Sequence, residues 1–152
     1  SRIFTVTVNS TPLVSVSGIT AACPGVPFTL TATGASGFTW FPGGISGSTR
    51  TTSITNTQVF TVLGTNGICA SQRLYTVSGL TIPSLSISGN NTICLGQSTS
   101  LTASGANIYT WSPSVGLNTT TGTIVTAFPT VSTIYTLTGT SMSGCVHQLA
   151  VS

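Results

Sequence analysis

"CPGVPFTLTATGASGFTW" (Cys23–Trp40) and "CLGQSTSLTASGANIYTW" (Cys94–Trp111) carry the same cysteine, glycine, leucine, glycine and tryptophan in the same order, 71 residues apart. Inside each stretch apolar side chains alternate with Thr or Ser, as in FTLTAT and SLTAS. That two-residue period belongs to a strand with one face buried and one face in solvent. A tryptophan six residues beyond the second glycine then reads as the start of the next strand, pointing into the same core.

The repeat extends well beyond these stretches. At the same offset of 71, Arg2 meets Arg73, Phe4 meets Tyr75, Val6 meets Val77, Pro12 meets Pro83, Gly18 meets Gly89 and Pro42 meets Pro113. Past the tryptophan the offset grows to 75 for Phe60 and Tyr135 and to 76 for Cys69 and Cys145, so the second copy has longer loops near GLNTTTG. Insertions of this kind fall in loops between matched strands. Further strand signals are FTVTV (Phe4–Val8), LVSVS (Leu13–Ser17), VFTVLG (Val59–Gly64), SLSIS (Ser84–Ser88), TIVTA (Thr123–Ala127) and IYTLTG (Ile134–Gly139). No window holds a sustained 3.6-residue apolar period, so the fold class is all-β: two tandem Ig-like β-sandwich modules over 11–81 and 82–152.

Residues 1–10 match 72–81, the last strand of the first module. The chain therefore opens with a final strand that has no module before it, and the matching strand after Cys145 is shorter. Two readings follow. Either the chain is a window on a longer tandem array, or Arg2, Ile3, Phe4, Val6 and Val8 form a donor strand that completes the last sheet of another copy.

Each module holds an early and a late cysteine. Four cysteines allow three pairings, and the repeat selects Cys23–Cys69 and Cys94–Cys145, one staple per module. On the chain-entropy estimate, each would add roughly 3–4 kcal/mol to a module near the size where a core alone is marginal. No CxxC spacing and a single histidine, His147, argue against a metal centre, and no cofactor is expected. Trp40, Trp111, Phe60 and Tyr135 are the expected core aromatics, with the Tyr135 hydroxyl placed to tie down a corner.

Only 2% of the 152 residues are charged: three arginines (Arg2, Arg50 and Arg73), with no Asp, no Glu and no Lys. Without carboxylates there is no paired-acid glycosidase, no Ser-His-Asp triad and no acidic calcium or magnesium cage, so no enzyme is expected. Three dispersed arginines are no footprint for nucleic acid. No run approaches the ~20 apolar residues of a membrane-spanning helix, and no signal peptide opens the chain. Weak self-repulsion favours association between copies, and four cysteines suit an oxidising, extracellular compartment.

The segment ICLGQSTSLTASGANIYTWSPSVGL (Ile93–Leu117), followed by YTLTGTSMSGC (Tyr135–Cys145), resembles the tandem Ig-like and PKD-like modules of very large surface proteins and adhesins of gliding Bacteroidetes-type bacteria, many exported by the type IX pathway. The resemblance covers both modules, although the first departs from it in FTWFPGGISG and VFTVLGTNGIC. It implies a β-sandwich spacer or adhesive element outside the cell, and it supplies no active site. The expected function is thus a structural repeat of an extracellular filament or surface stalk, assembled head to tail from copies of itself or from neighbouring modules of the same chain. The alternative is an adhesin module that binds surface polysaccharide through exposed aromatics, with Phe38, Phe41 and Tyr109 as candidates beside the tryptophans. Asn9, Asn90 and Asn118 each open a glycosylation acceptor pattern, and about a third of the residues are Ser or Thr, which leaves O-glycosylation open. His147 reads as a surface imidazole, and Arg2 and Arg73 as solubilising edge charges.

Overall fold

The computed structural model describes residues 2–152, and among these every regular element is a strand. The chain divides into two compact units, the first ending at Leu80 and the second beginning at Thr81.

The first unit contains β1 (Ser15–Ser17), β2 (Ala21–Ala22), β3 (Phe28–Thr33), β4 (Gly37–Phe41), β5 (Ile45–Ser46), β6 (Thr49–Thr52), β7 (Gln58–Asn66) and β8 (Cys69–Gly79). They form one sheet in the order β1-β3-β6 and another in the order β2-β8-β7-β4-β5. Phe28, Leu30 and Ala32 alternate inward from β3 and meet Trp40, Phe60, Val62 and Val77 from the opposite sheet in one core. On the solvent side of β3, Thr29 and Thr51 share a 2.8 Å hydroxyl–hydroxyl bond.

In the second unit β9 (Ser86–Ser88), β10 (Thr99–Ser104) and β12 (Ile124–Ala127) make one sheet in the order β12-β10-β9. The facing sheet runs β11-β13-β14, from β11 (Ile108–Ser112), β13 (Tyr135–Thr140) and β14 (Val146–Val151). Leu101, Ala103, Trp111, Val125, Ala127, Tyr135 and Leu137 fill its core. In both units the tryptophan indole is capped by a loop carbonyl: Trp40 Nε1 donates to Gly47 (2.8 Å) and Trp111 Nε1 to Gly122 (3.1 Å). The repeated glycines Gly34 and Gly105 have φ of +93° and +97°, and a Cβ would come within 1.8 Å and 1.9 Å of the Leu13 and Ser84 carbonyl oxygens. Only glycine tolerates that combination of backbone angle and close approach.

Two expectations need correction. Residues 2–8 match a strand in sequence but adopt no strand here, and Ile3, Phe4, Val6 and Val8 are all more than 85% exposed. A strand exists only against an edge that pairs with it, and nothing in the first unit offers the arm one.

The second correction concerns the cysteines. Cys69 and Cys94 are free thiols, while Cys23 and Cys145 are disulfide-bonded, so neither within-module pairing forms. Strand geometry explains why. Cys23 follows Ala22, which pairs with Gly79 at the far end of β8, and Cys69 begins that same 11-residue strand. The two lie roughly 30 Å apart at ~3.3 Å per residue, whereas a disulfide needs α-carbons within about 7 Å. In the second unit Cys145 precedes β14 and Cys94 sits by its far end with Val151 and Ser152, roughly 20 Å away on the same reckoning. The repeat identifies which cysteines are equivalent, and the strands put the two members of each module at opposite ends.

Candidate functional site

The site lies where the two units differ. In the first, Phe60 on β7 is opposite Tyr75 on β8, and β8 continues through Thr76, Val77, Ser78 and Gly79. That tail is held on both flanks: Val77 faces Gln58 and is fully buried, while Ser78 and Leu80 donate backbone bonds to Thr20 and Ala22 (both 2.9 Å), making β2 a parallel edge strand.

In the second unit Tyr135 on β13 is opposite Val151 on β14, the same register as Phe60 and Tyr75, and β14 ends there. Beyond it is an open cleft of about 680 Å³ lined by Thr92, Ile93, Leu95, Val131, Ile134 and Tyr135 among others. Thr92 and Ile93 stand at the positions of Ala21 and Ala22, yet they belong to no strand. β14 ends at Val151, so no described strand lies beside them as Ser78 and Gly79 lie beside Ala21 and Ala22. Leu95, Val131 and Ile134 are 80%, 74% and 63% exposed, an apolar rim beside a segment that belongs to no strand. Such an edge is a template for a further strand.

The exposed arm aligns in sequence with the tail of β8. Val6, Thr7, Val8 and Asn9 align with Val77, Ser78, Gly79 and Leu80, and Val151 and Ser152 already occupy the Tyr75 and Thr76 positions. Of the expected donor residues, then, Val6 aligns with the buried Val77 and Phe4 coincides with Val151, whereas Val8 aligns with Gly79, where a Cβ in the first unit would come within 2.7 Å of the Asn56 backbone. The base of the arm is fixed to its own unit: the Cys69 thiol lies 3.5 Å from the Asn9 carbonyl, and the Ser71 hydroxyl donates to the carbonyl of Pro12.

The other candidate residues are dispersed. Trp40 and Phe60 are buried in the first core, where Phe60 meets Phe28 edge to face, and Trp111 and Tyr135 in the second. Tyr135 donates its hydroxyl to the Val115 carbonyl (2.9 Å), and burial raises its pKa. Tyr109 is also buried, its hydroxyl bonded to both the N–H and the carbonyl of Ala106 (2.8 Å each), and Phe38 packs against the first core. This leaves Phe41 exposed among the aromatics named as sugar platforms, joined by Phe128, which the sequence did not single out. Asn9, Asn90 and Asn118 are exposed, but the Asn118 amide oxygen accepts from the Thr126 N–H (2.7 Å) and that of Asn90 from the Thr92 N–H (3.2 Å). Arg2, Arg73 and His147 lie on the surface. No cluster of three or more His, Cys, Asp or Glu exists among the described residues, and no described helix is long and apolar enough to cross a membrane.

Arg50 is the residue the sequence reading passed over. It is buried on β6 with no acid to pair with; its Nη1 donates to the Pro42 carbonyl (2.6 Å), its guanidinium lies 4.9 Å over the Phe60 ring, and its Nε has no partner. Desolvation lowers its pKa. The apolar position it takes in the β-alternation gave no signal, because a single arginine among threonines reads as a surface charge.

No protein-family profile and no curated protein matches the chain. Among solved structures, the apo structure of Bacteroides uniformis beta-glucuronidase 3 aligns at 13% identity and a TM-score of 0.40, covering 94% of this chain and 25% of that one. A chimeric titin Z1Z2 functionalized with a KLER exogenous peptide from decorin aligns at 12% identity and a TM-score of 0.35, covering 93% and 96%. The chain thus spans about a quarter of the glucuronidase it aligns with.

Proposed function

We propose that the chain is a pair of tandem Ig-like modules that serves as a structural repeat of an extracellular filament or stalk, assembled head to tail by strand donation. The observation that carries this reading is the match between one exposed arm and one vacated edge. Val6 of one copy enters the cleft of the next at the Val77 position, and Thr7 and Asn9 donate to the carbonyls of Asn91 and Ile93 as Ser78 and Leu80 do to Thr20 and Ala22. Three properties support it: uncharged surfaces that do not repel, disulfide chemistry suited to a compartment outside the cytosol, and a site consisting of edge backbone and apolar rim instead of acids and bases.

Deleting residues 1–8 should abolish fibres seen by electron microscopy while leaving both units folded, and a synthetic peptide of residues 2–9 should raise the melting temperature of the second unit. Fibres that persist unchanged after the deletion would sink strand donation. The adhesin alternative has less behind it, since four of the five aromatics named for it are packed into the units. Loss of polysaccharide binding on Phe41→Ala, with folding intact, would revive it.

A further inference from the structure

Resting on that head-to-tail reading, we propose that the free thiols Cys69 and Cys94 form a disulfide between successive copies, so that the filament is covalently continuous. The equivalences of the repeat lead to this pairing. Cys94 stands at the position of Cys23 and Cys69 at the position of Cys145, and Cys23 and Cys145 are the two cysteines that are oxidised. The early cysteine of the first module and the late cysteine of the second are therefore the oxidised ones, and the two free thiols are the remaining late and early cysteines.

The local geometry of each unit makes the meeting specific. On the donor side, the Cys69 sulfur lies 3.5 Å from the Asn9 carbonyl, at the base of the arm. On the acceptor side, Cys94 directly follows Ile93, whose carbonyl is the counterpart of the Ala22 oxygen that accepts from Leu80. Asn9 aligns with Leu80. Seating the arm in this register brings Asn9 of the incoming copy to Ile93, and with it the Cys69 thiol to Cys94. Cys94 is exposed and Cys69 half-buried, so both are open to a partner before assembly.

The chemistry is thiol–disulfide exchange. The thiolate of one cysteine attacks a low-molecular-weight or protein disulfide and releases one thiol. The second cysteine's thiolate then displaces the other sulfur from the mixed disulfide, forming the Cys69–Cys94 bond. Each linkage gives up two protons and two electrons, and the external disulfide is reduced to two thiols.

The test uses assembled full-length protein, alkylated to block exchange and run on a denaturing gel with and without reductant, alongside electron microscopy of the same sample. A ladder at multiples of 15.3 kDa that collapses to monomer on reduction is expected. Cys69→Ser and Cys94→Ser should each form fibres that dissolve to monomers, because neither residue is bonded within its own chain. An equimolar mixture of the two variants should give covalent dimers and nothing larger. Fibres that run only as monomers, or peptide mapping that finds Cys69–Cys69 or Cys94–Cys94 bonds, would overturn the cross-link and leave strand donation standing. Absence of wild-type fibres would overturn strand donation, and the cross-link with it.

Discussion

At Tyr75 of the first unit, β8 still has four residues to run, whereas at the equivalent Val151 of the second, β14 has reached its end. The consequences spread over one corner. With the tail present, Val77 is sealed into the core and Ala21–Ala22 is a strand; in the second unit Thr92–Ile93 belongs to no strand. The two units share the capped tryptophans and the glycines that admit a neighbouring carbonyl. The difference teaches that pairing with the tail of β8 is what makes Ala21–Ala22 a strand.

The largest effect expected from breaking the comparison lies where the units are most alike. Gly34→Ala and Gly105→Ala each force a Cβ into a backbone oxygen at positive φ, and each should destabilise its own unit by about 3 kcal/mol or more. Urea unfolding followed separately through Trp40 and Trp111 checks this; a loss under 1 kcal/mol in either would mean the two corners are not built alike.

Next comes the corner where they differ. Val77→Ala should cost the first unit about 2 kcal/mol, while Val6→Ala, at the matching arm position, should leave the unassembled protein unchanged and weaken only assembly. Equal effects on the isolated chain would show the arm already docked.

Tyr135→Phe removes one hydroxyl bond, worth about 1 kcal/mol, and makes that position match Phe60. The folded pKa of Tyr135 is raised above its usual 10.0 by burial. Its contribution is therefore fully present below pH ~10 and is lost as pH climbs from there through the folded value. Alkaline unfolding of the second unit should accordingly shift to higher pH in Tyr135→Phe, measured by circular dichroism.

The smallest change is expected for Arg50→Val, which gives the first unit the valine that the second has at Val125, since Leu30 faces Arg50 as Leu101 faces Val125. Removing a buried charge offsets the lost carbonyl bond and ring contact, and the net change should stay within about 1 kcal/mol. A loss of several kcal/mol in thermal unfolding would assign Arg50 a structural role that its unpaired Nε argues against.

Much of the fold was legible because it is written twice. The FTLTAT run became β3 (Phe28–Thr33) residue for residue, and Trp40 and Trp111 are in the cores where they were expected, whereas Tyr109, named as a candidate sugar platform, is buried. Spacing could not reveal the cysteine pairing or the conformation of residues 2–8. It matched Cys23 to Cys94 and Cys69 to Cys145 without indicating that the members of each module sit at opposite ends of a long strand. It also read residues 2–8 as a strand, although strand formation depends on a partner edge that sequence position does not supply. The cleft followed from no motif, because it consists of what β14 lacks. Arg50 was missed for a related reason: its carbonyl and ring partners lie elsewhere in the chain, Pro42 in the turn after β4 and Phe60 on β7.

The most direct test is amide hydrogen exchange of assembled and unassembled protein, read at the arm. The account predicts that the N–H groups of Thr7 and Asn9 exchange freely in the single copy and become protected by at least about a hundredfold on assembly, as hydrogen-bonded strand amides are. Fibres in which both amides still exchange at the free rate would contradict it.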